Sequence, residues 1–481
     1  MGEYGSFAQR VGLVGITNFL VILSGFFLIP ILTKTLPIEE YGIWAQITVT
    51  IGLIPSIVML GLPYAMIRVL AEKKKKEDVR EGFYSIFVVV LVTSATTSFL
   101  LFLSSKSIAS ILFDGNVTVA KILSLIIFME CLNSLSFDFF RAVLQIKMYS
   151  VLLLVQTYLN LALVAYFILS GYGIIGAVIG VLITKCFTFL IMASFIISKI
   201  GIKIPKFENM RSYLAFGLPI VPGNLSSWVV NSSDRYLIGI LMGTTFVGYY
   251  SPGYALGNMI HMFMAPLGLI LPAVLSKYYD DGRKTEVKMV LKYSLKYFLL
   301  FAIPSTFGLS LLSKPMLVIL STPKIASEGY LITPFVAVSA VFFGSFVIIN
   351  HILVLEKKTK IMGSMYILAA LLNFGLNLIL IPYMGIVGAA VTTMMAYLSI
   401  SIAGSRYCFK YFRFDIDYYF ILKSIFASTV MSLVILRWDP EGLPSVLFTV
   451  GICTVVYATV LLLLKGMTRE ELVFFKSLFR I

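Results

Sequence analysis

The chain has 481 residues, of which 59% are hydrophobic and 13% charged, and 38 Lys and Arg against 23 Asp and Glu give it a formal net charge of +15. Soluble domains carry about 25% charged residues, so the composition excludes an ordinary soluble protein. The basic residues cluster in short loops between apolar runs, which excludes a nucleic-acid-binding face and is typical of a membrane protein.

Fourteen apolar runs are long enough to cross a bilayer as helices, which takes about 20 residues each. The sequence therefore predicts an all-α integral membrane protein with about 14 transmembrane helices. The run after Arg10 is longer than a signal-peptide core and is predicted to be retained. The predicted spans are residues 11–36, 42–68, 82–104, 117–141, 149–170, 174–198, 213–243, 246–276, 289–312, 330–355, 361–382, 386–406, 419–437 and 444–465.

Lysine and arginine counts predict the orientation of these spans. With an even number of spans both termini share one side, and that side holds 30 basic residues against 6 on the other. Because cytoplasmic loops carry the excess of Lys and Arg, both termini are predicted to be cytoplasmic in a multi-pass protein of the plasma membrane. The lysine run at residues 73–76 is interpreted as a topology determinant, with an anionic-lipid site as the alternative.

Two motifs recur in the second half of the chain. GIIGAV begins at Gly173, and GIVGAA begins 212 residues later at Gly385. EYGIW, which begins at Glu40, has a weaker counterpart in FVGYY, which begins 206 residues later at Phe246. Repeats of this length predict an internal duplication of the kind found in transporters.

The duplication predicts two six-helix lobes in a pseudo-twofold arrangement, followed by two further helices. A capping box of Thr468 and Glu471 predicts that the C-terminal tail forms a cytoplasmic amphipathic helix. The predicted segments are an N-terminal lobe at 1–205, a C-terminal lobe at 206–414, two additional helices at 415–465 and the tail at 466–481.

Span 4 carries a polar stripe whose members are spaced by three and four residues, namely Glu130, Asn133, Ser134, Asp138 and Arg141. A carboxylate near mid-membrane, such as Glu130, must be protonated, paired or hydrated. Lys185 in span 6 is also deep, so it could pair with Glu130 or remain available to a phosphate, and the sequence leaves both alternatives open. Arg141 is either an anchor at the membrane edge or part of a site.

Span 7 has one polar face, covering an arc of about 100° at helical spacing and formed by Asn224, Ser227, Asn231, Asp234 and Arg235. A charge at the bilayer centre costs at least ~2.5–3.5 kcal/mol, so this face is predicted to line a water-filled cavity. The alternative is a buried pair that locks helix packing. Because consecutive helical residues do not face each other, Asp234 and Arg235 are expected on the two flanks of the arc rather than as a simple pair.

Span 8 places aromatic and amide groups on one helical face, namely Tyr250, Tyr254, Asn258 and His261. Such a face suits sugar rings, and helix packing is the alternative. Two further polar pairs, Gln156 with Asn160 and Asn373 with Asn377, are expected to make interhelical hydrogen bonds. Prolines in spans 7 and 8, among them Pro252 and Pro266, interrupt the helical hydrogen bonds.

Several chemistries have no signal in the sequence. The chain contains no Gly-Lys dipeptide and hence no P-loop for a nucleotide. Its four cysteines lie far apart and it has two histidines, so neither a metal nor another cofactor is expected. The external loops lack the acidic clusters of a glycosyltransferase, and the chain is not expected to be an enzyme.

Four segments together resemble the polysaccharide (O-antigen-type repeat-unit) flippases of the multidrug/oligosaccharidyl-lipid/polysaccharide exporter superfamily. They are EEYGIW at 39–44, FFRAVLQ at 139–145, NSSDRYLIG at 231–239 and VGYYSPGYAL at 247–256. The resemblance implies a V-shaped pair of helix bundles that open alternately to either side of the membrane. It also implies translocation of a polyprenyl-(di)phosphate-linked oligosaccharide to the outer leaflet for cell-surface polysaccharide or glycan synthesis.

This function would need cations in the cavity for phosphate, and Arg235, Lys185 and Arg141 are available. The other expected substrate-binding residues are Asp234, Asn231, Asn224, Tyr250, Tyr254 and Asn258. Glu130 and Asp138 are candidates for coupling to a proton or sodium ion.

A cation-coupled multidrug antiporter of the same superfamily is the alternative. It commonly uses a carboxylate in the first span, and residues 11–36 contain none. A membrane glycosyltransferase or polymerase is a third and weaker hypothesis.

Overall fold

The computed structural model describes residues 3–72, 75–467 and 471. These residues form α-helices and two short 3₁₀-helices, and no strand occurs among them. A helix satisfies its backbone groups internally, so it can cross lipid as a single segment. The helices of the first half are α1 Glu3–Thr35, α2 Ile38–Val58, α3 Leu62–Glu72, α4 Lys76–Leu103, α5 Ser105–Leu112, α6 Val117–Ala142, α7 Ile146–Leu169, α8 Gly173–Ile200, α9 Met210–Gly217 and α10 Val221–Met242.

The second half continues in the same way, and 3₁₀-helices occur at Leu218–Ile220 and Asn258–Met264. The remaining α-helices are α11 Thr244–Gly257, α12 Ala265–Asp280, α13 Lys284–Leu311, α14 Ser313–Leu320, α15 Pro323–Gly329, α16 Ile332–Leu355, α17 Thr359–Tyr411, α18 Tyr418–Trp438 and α19 Gly442–Leu463.

Thirteen helical segments within the described ranges are long and apolar enough to cross a membrane. One of them, α17, has 53 residues and holds two predicted spans, because Gly385 interrupts its helical geometry with φ 61° and ψ −146°. The prediction of an all-α membrane protein with about 14 spans is confirmed. Gly173 at the start of α8 also has a positive φ, of 57°. Both copies of the repeated motif therefore begin with a backbone conformation that favours glycine.

The helices form two compact units. The first comprises Met1–Ser251 and Tyr366–Gly385, and the second comprises Pro252–Met365 and Ile386–Ile481. The division into six-helix lobes at residue 205 stays a prediction.

In the first unit, α6 is the central helix and packs against α2, α3, α4 and α8. Its apolar face is fully buried at Ile126, Leu135 and Phe139. Because lipid tails are as apolar as these side chains, close van der Waals packing rather than escape from water stabilises such helix pairs. Packing on several sides holds α6 in one orientation, and this orientation sets the direction of its polar stripe.

Two glycines bring α2 and α11 into close contact within the first unit. A Cβ added to Gly42 would overlap the carbonyl oxygen of Thr244, and one added to Gly248 would overlap the carbonyl oxygen of Ile38. Gly42 and Gly248 are 206 residues apart, and so are Ile38 and Thr244. The contact is therefore reciprocal, and its offset is that of the weaker sequence repeat.

Replacing Gly42 by alanine is expected to destabilise the protein by about 1–3 kcal/mol, because the added methyl group overpacks a backbone contact. Gly15→Ala is the matched control on α1, where a Cβ would meet nothing within 4 Å. An alanine at an exposed helical glycine normally stabilises by about 0.5–1 kcal/mol. Thermal unfolding of both variants in detergent tests this prediction, and equal midpoints for the two variants would contradict it.

In the second unit, α13 packs against α16 and α18, and α18 packs against α19. Buried apolar side chains fill the space between them, for example Phe298, Ile352 and Phe420. The two predicted extra helices, α18 and α19, are thus part of the core of this unit.

A buried ion cluster lies beside this core. Lys296 Nζ is 2.9 Å from Glu471 Oε1 and 3.7 Å from Asp417 Oδ2. Lys296 is 7% exposed and Glu471 is 5% exposed. Apart from Gly466, Met467 and Glu471, the predicted amphipathic tail, including the Thr468 half of its capping box, lies outside the described residues.

Replacing Lys296 by methionine is expected to destabilise the protein by about 3–5 kcal/mol, because Glu471 would keep a buried negative charge that the lysine no longer neutralises. Lys292→Met, one helical turn earlier at a half-buried position, is the control for loss of a lysine from α13. The thermal midpoint should fall in the Lys296 variant and change little in the control. A Lys296 variant as stable as the control would show that the cluster does not hold this part of the chain.

Candidate functional site

The polar stripe of α6 is the first component of the candidate site. The helix begins where the Asn116 side chain accepts a hydrogen bond from the Val119 amide, at 3.1 Å. Within it, Ser134 Oγ donates to Glu130 Oε1 at 3.3 Å, and Arg141 Nη1 donates to Asp138 Oδ1 at 2.8 Å. The predicted stripe therefore exists as two local pairs on one face.

A polar cavity of about 290 Å³ opens beside the Asp138 and Arg141 pair in the first unit. Residues of α2, α3 and α10 line this cavity together with residues of α6. Its polar lining comes from Ser56, Tyr64, Ser134, Asp138, Arg141 and Asn224. The structure thus brings Asn224 of span 7 together with Asp138 and Arg141 of span 4.

Two glycines make this convergence possible. Gly61, with φ 68°, forms the connection between α2 and α3, and Gly217 ends α9. A Cβ on Gly61 would overlap the carbonyl oxygen of Gly217, so neither position has room for a larger side chain. The close approach of these two backbones brings the start of α10, and with it Asn224, to the cavity.

Arg141 is the accessible cation of the cavity. Half of its side chain, 50%, is exposed, whereas the side chain of Asp138 is 17% exposed. The guanidinium also lies 6.0 Å from the ring centre of Tyr149. A guanidinium held at one edge by a carboxylate keeps further N–H groups for a phosphate or sugar oxygen.

Glu130 and Lys185 form an ion pair, which is the first of the two alternatives that the sequence left open. Lys185 Nζ lies 2.6 Å from Glu130 Oε2, and both side chains are mostly buried, at 15% and 18% exposure. Lys185 also donates to Gln156 Oε1 at 3.3 Å. That Lys185 binds a phosphate stays a prediction.

Interhelical hydrogen bonds fix the position of this pair. Gln156 Nε2 donates to Thr188 Oγ1 at 3.0 Å and to Asn133 Oδ1 at 3.2 Å. Asn133 Nδ2 in turn donates to the carbonyl oxygen of Lys185 at 2.9 Å. The interhelical role predicted for Gln156 is confirmed, whereas the Oδ1 of Asn160 finds no hydrogen-bond partner among the described residues. In the second polar pair Asn377 Nδ2 donates to Asn373 Oδ1 within α17, at 3.1 Å, and the interhelical role of this pair stays a prediction.

Asp234 and Arg235 form a pair, so the expectation that they would lie on separate flanks is wrong. Asp234 Oδ1 accepts from the backbone N–H of Arg235 at 2.8 Å and from its Nη1 at 3.2 Å. Arg235 Nη1 also donates to the carbonyl oxygen of Asn231 at 2.9 Å. The long side chain of arginine folds back along the helix, which the rule for neighbouring Cβ directions does not describe.

Tyr250 completes this cluster by donating its hydroxyl to Asp234 Oδ2. Asp234 and Tyr250 are 0% exposed and Arg235 is 9% exposed. In this conformation Asp234 and Tyr250 present no atom to a substrate, and Asn231 donates its own side chain to the Ser227 carbonyl oxygen at 2.8 Å. That these residues contact a substrate stays a prediction for another conformation.

Tyr254 and Asn258 lie in the second unit, where the α-helical spacing of span 8 breaks. Helix α11 ends at Gly257, and Asn258 begins a 3₁₀-helix. Tyr254 is buried, and Thr333 Oγ1 donates to the Gly253 carbonyl oxygen beside it at 3.1 Å. One continuous face through Tyr254, Asn258 and His261 assumed an uninterrupted α-helix, and a 3₁₀-helix turns 120° per residue instead. Their role in sugar binding stays a prediction.

Ser56 and Tyr64 line the cavity but were not predicted. Neither is charged, and both flank the connection between α2 and α3, where the sequence gives no periodic signal. Among the described residues no group of three or more His, Cys, Asp and Glu could hold a metal ion, and all four cysteines are free.

Residues 31–325 match a family described as polysaccharide biosynthesis protein. The chain is 25% identical over 292 residues to the probable low-salt glycan biosynthesis flippase Agl15 of Haloferax volcanii. That similarity covers 59% of this chain and 61% of the relative, so the chain spans less than two thirds of that protein.

Two solved transporter structures share the fold. The lipid II flippase MurJ in an inward closed conformation has a TM-score of 0.74 and 19% identity, over 92% of this chain and 97% of that chain. An inward-facing multidrug resistance MATE family transporter of the MOP superfamily has a TM-score of 0.72 and 15% identity, over 81% of this chain and 94% of that chain. At these identities the likeness concerns the fold alone.

Proposed function

The chain belongs to the polysaccharide biosynthesis protein family, and from this premise we propose that it is a flippase for a polyprenyl-(di)phosphate-linked oligosaccharide. The substrate would pass from the cytoplasmic to the outer leaflet by alternating access, and the glycan would serve cell-surface polysaccharide or glycan synthesis. The family match carries this proposal. The polar cavity beside Arg141 supports it, because a phosphate and a sugar need a cation together with hydroxyl and amide groups.

We assign the phosphate to Arg141. Its guanidinium can bind two phosphate oxygens at once, and Asp138 holds it in place at 2.8 Å. Asn224, Tyr64 and Ser134 would then donate to or accept from sugar hydroxyls. A cavity of about 290 Å³ is the size of a small ligand group, so it would hold the headgroup next to the lipid and not a whole oligosaccharide.

The Glu130 and Lys185 pair is assigned to cation coupling. The intact pair has no net charge, and a proton bound to Glu130 would remove its negative charge. Lys185 would then lose its negatively charged partner, and Glu130 lies one helical turn from Ser134, which lines the cavity. The coupling ion would thus change the affinity of the cavity for an anion.

The experiment is a leaflet assay in a strain that lacks its own flippase of this class. Cells with the intact chain should expose the lipid-linked sugar on the outer leaflet, and cells with an empty vector should accumulate it on the cytoplasmic leaflet. A chain that reaches the membrane at normal levels and leaves the sugar on the cytoplasmic leaflet would contradict the proposal.

A cation-coupled multidrug antiporter is the second candidate, and the likeness to the MATE transporter fold favours it. Increased drug resistance in cells that carry the chain, without a change in lipid-linked sugar, would identify it. The relatives reported above are flippases and transporters and not enzymes, in agreement with the prediction that the chain has no catalytic role. Accumulation of an unextended glycolipid in a knockout would instead point to an enzyme.

A further inference from the structure

The second unit carries a cluster of basic and tyrosine side chains where the two ends of α17 meet. Lys358, just before this helix, lies with its Nζ 3.6 Å from the ring centre of Tyr411, the last helical residue. The Tyr411 hydroxyl is 2.9 Å from that of Tyr407. Lys410 Nζ lies 5.8 Å from the ring centre of Tyr407. We name Lys358, Tyr407, Lys410 and Tyr411 the lysine–tyrosine patch.

The patch has an excess of positive charge. Four further basic residues follow or precede it within a few positions, namely Lys357, Lys360, Arg406 and Arg413, and all four are exposed. The nearest acidic residue in the chain, Glu356, accepts a hydrogen bond from Tyr279 at 2.7 Å. Two acidic residues follow in sequence: Asp415 is exposed, and Asp417 lies 3.7 Å from Lys296 Nζ. An anion therefore meets several cations at this surface and little opposing charge.

The expected excess of Lys and Arg in cytoplasmic connections explains why basic residues occur here, but it does not explain how these side chains are arranged. Positive charge at a helix C-terminus is also favourable, which accounts for Lys410. Neither effect requires Lys358, from a separate connection, to stack on a pair of tyrosines joined through their hydroxyls. The stack holds one ammonium group at a fixed place beside two hydroxyls, which is the donor set of a phosphate site.

Exposed tyrosines near the patch in sequence are typical of the level of lipid headgroups. Tyr418 and Tyr419 begin α18 a few residues further on and are 66% and 80% exposed. Tyrosine is enriched at the interface between membrane and water, because its ring is apolar and its hydroxyl is polar. A lipid phosphate is the anion expected at such a level.

We propose that the lysine–tyrosine patch binds the phosphate headgroup of a membrane lipid. The lipid is an anionic phospholipid of the bilayer or a polyprenyl diphosphate, and the second source alone depends on the proposed function. The site is separate from the cavity at Arg141, which belongs to the first unit. Its ligand would be bound with or without transport.

Native mass spectrometry of the full chain in detergent tests the proposal with three added probes. They are phosphatidylglycerol, phosphatidylcholine and undecaprenyl diphosphate. The variant is Lys358→Gln with Lys410→Gln, and the control is Lys147→Gln with Lys199→Gln, which removes two exposed lysines from the first unit. We expect roughly 30-fold weaker binding of the anionic probes to the patch variant, which corresponds to about 1 kcal/mol for each charge, and no such loss in the control.

The probes distinguish the two sources. Equal affinity for phosphatidylglycerol and undecaprenyl diphosphate identifies a general anionic-lipid site, and tighter binding of the diphosphate identifies a site for the polyprenyl carrier. Unchanged binding to the patch variant, or an equal loss in the control, would overturn the proposal. Because binding is measured without transport, a chain that fails the leaflet assay can still pass this test.

Discussion

Arg141→Gln should abolish translocation while the protein still reaches the membrane at normal levels. The variant removes the exposed guanidinium from the cavity, and a charge-assisted hydrogen bond to phosphate is worth about 1.5–3 kcal/mol, so two such bonds correspond to a loss of at least 100-fold. The leaflet assay in a flippase-deficient strain measures the effect. Arg141→Lys should restore a small part of it, because lysine keeps the charge and loses the bidentate geometry.

The control for Arg141→Gln is Lys147→Gln. Lys147 is exposed at the start of α7, and it does not line the cavity. Both changes remove one positive charge beside the connection between α6 and α7. An effect of net charge or of membrane orientation would therefore appear in both variants. If Arg141→Gln supports translocation as well as Lys147→Gln does, Arg141 is a surface anchor and the cavity is not the phosphate site.

Asp234→Leu should destabilise the protein by about 3–5 kcal/mol and lower its level in the membrane. Asp234 accepts from Arg235 and Tyr250 and is fully buried, so its loss leaves a buried guanidinium without its carboxylate. Thermal unfolding in detergent measures the loss. Tyr250→Phe removes one hydrogen bond and keeps the ring, so it should cost only about 1–3 kcal/mol.

The double variant Asp234→Leu with Arg235→Leu separates a structural role from a functional one. Replacing both members of a buried pair by apolar residues is often neutral for stability. The double variant should therefore unfold close to the wild-type temperature. Normal translocation by this stable variant would show that the pair only locks helix packing. Loss of translocation despite normal stability would support contact of Asp234 and Arg235 with the substrate in another conformation.

The membrane fold could be predicted from the sequence because lipid imposes a length and a composition on every spanning helix. The helices could be counted for that reason, including the two spans that α17 joins across Gly385. Pairs within one helix were also within reach, since Asp138 and Arg141 are three residues apart and lie on one face. Such contacts depend on helical periodicity alone.

Contacts between helices could not be predicted in the same way. Asn224 reaches the cavity because Gly61 and Gly217 let two backbones approach, and no periodicity encodes that approach. Tyr250 on α11 reaches Asp234 on α10 with its hydroxyl across 16 positions of the sequence, which helical spacing within one helix does not predict. The pairing of Asp234 with Arg235 was considered only as an alternative, because the spacing rule describes the directions of neighbouring Cβ atoms and not the length of the arginine side chain.

The reciprocal contact of Gly42 and Gly248 has the form of an isologous interface, in which residue i of one partner meets residue j of the other and the converse. Such an interface arises when two identical subunits associate about a twofold axis. A chain produced by fusing two such subunits would inherit it as an internal contact. In such a dimer a single substitution of this glycine would have placed a side chain on both sides of the interface. The two side chains would have pushed the two helices apart. Glycine at both sites is thus what a former dimer interface would leave behind in a single chain.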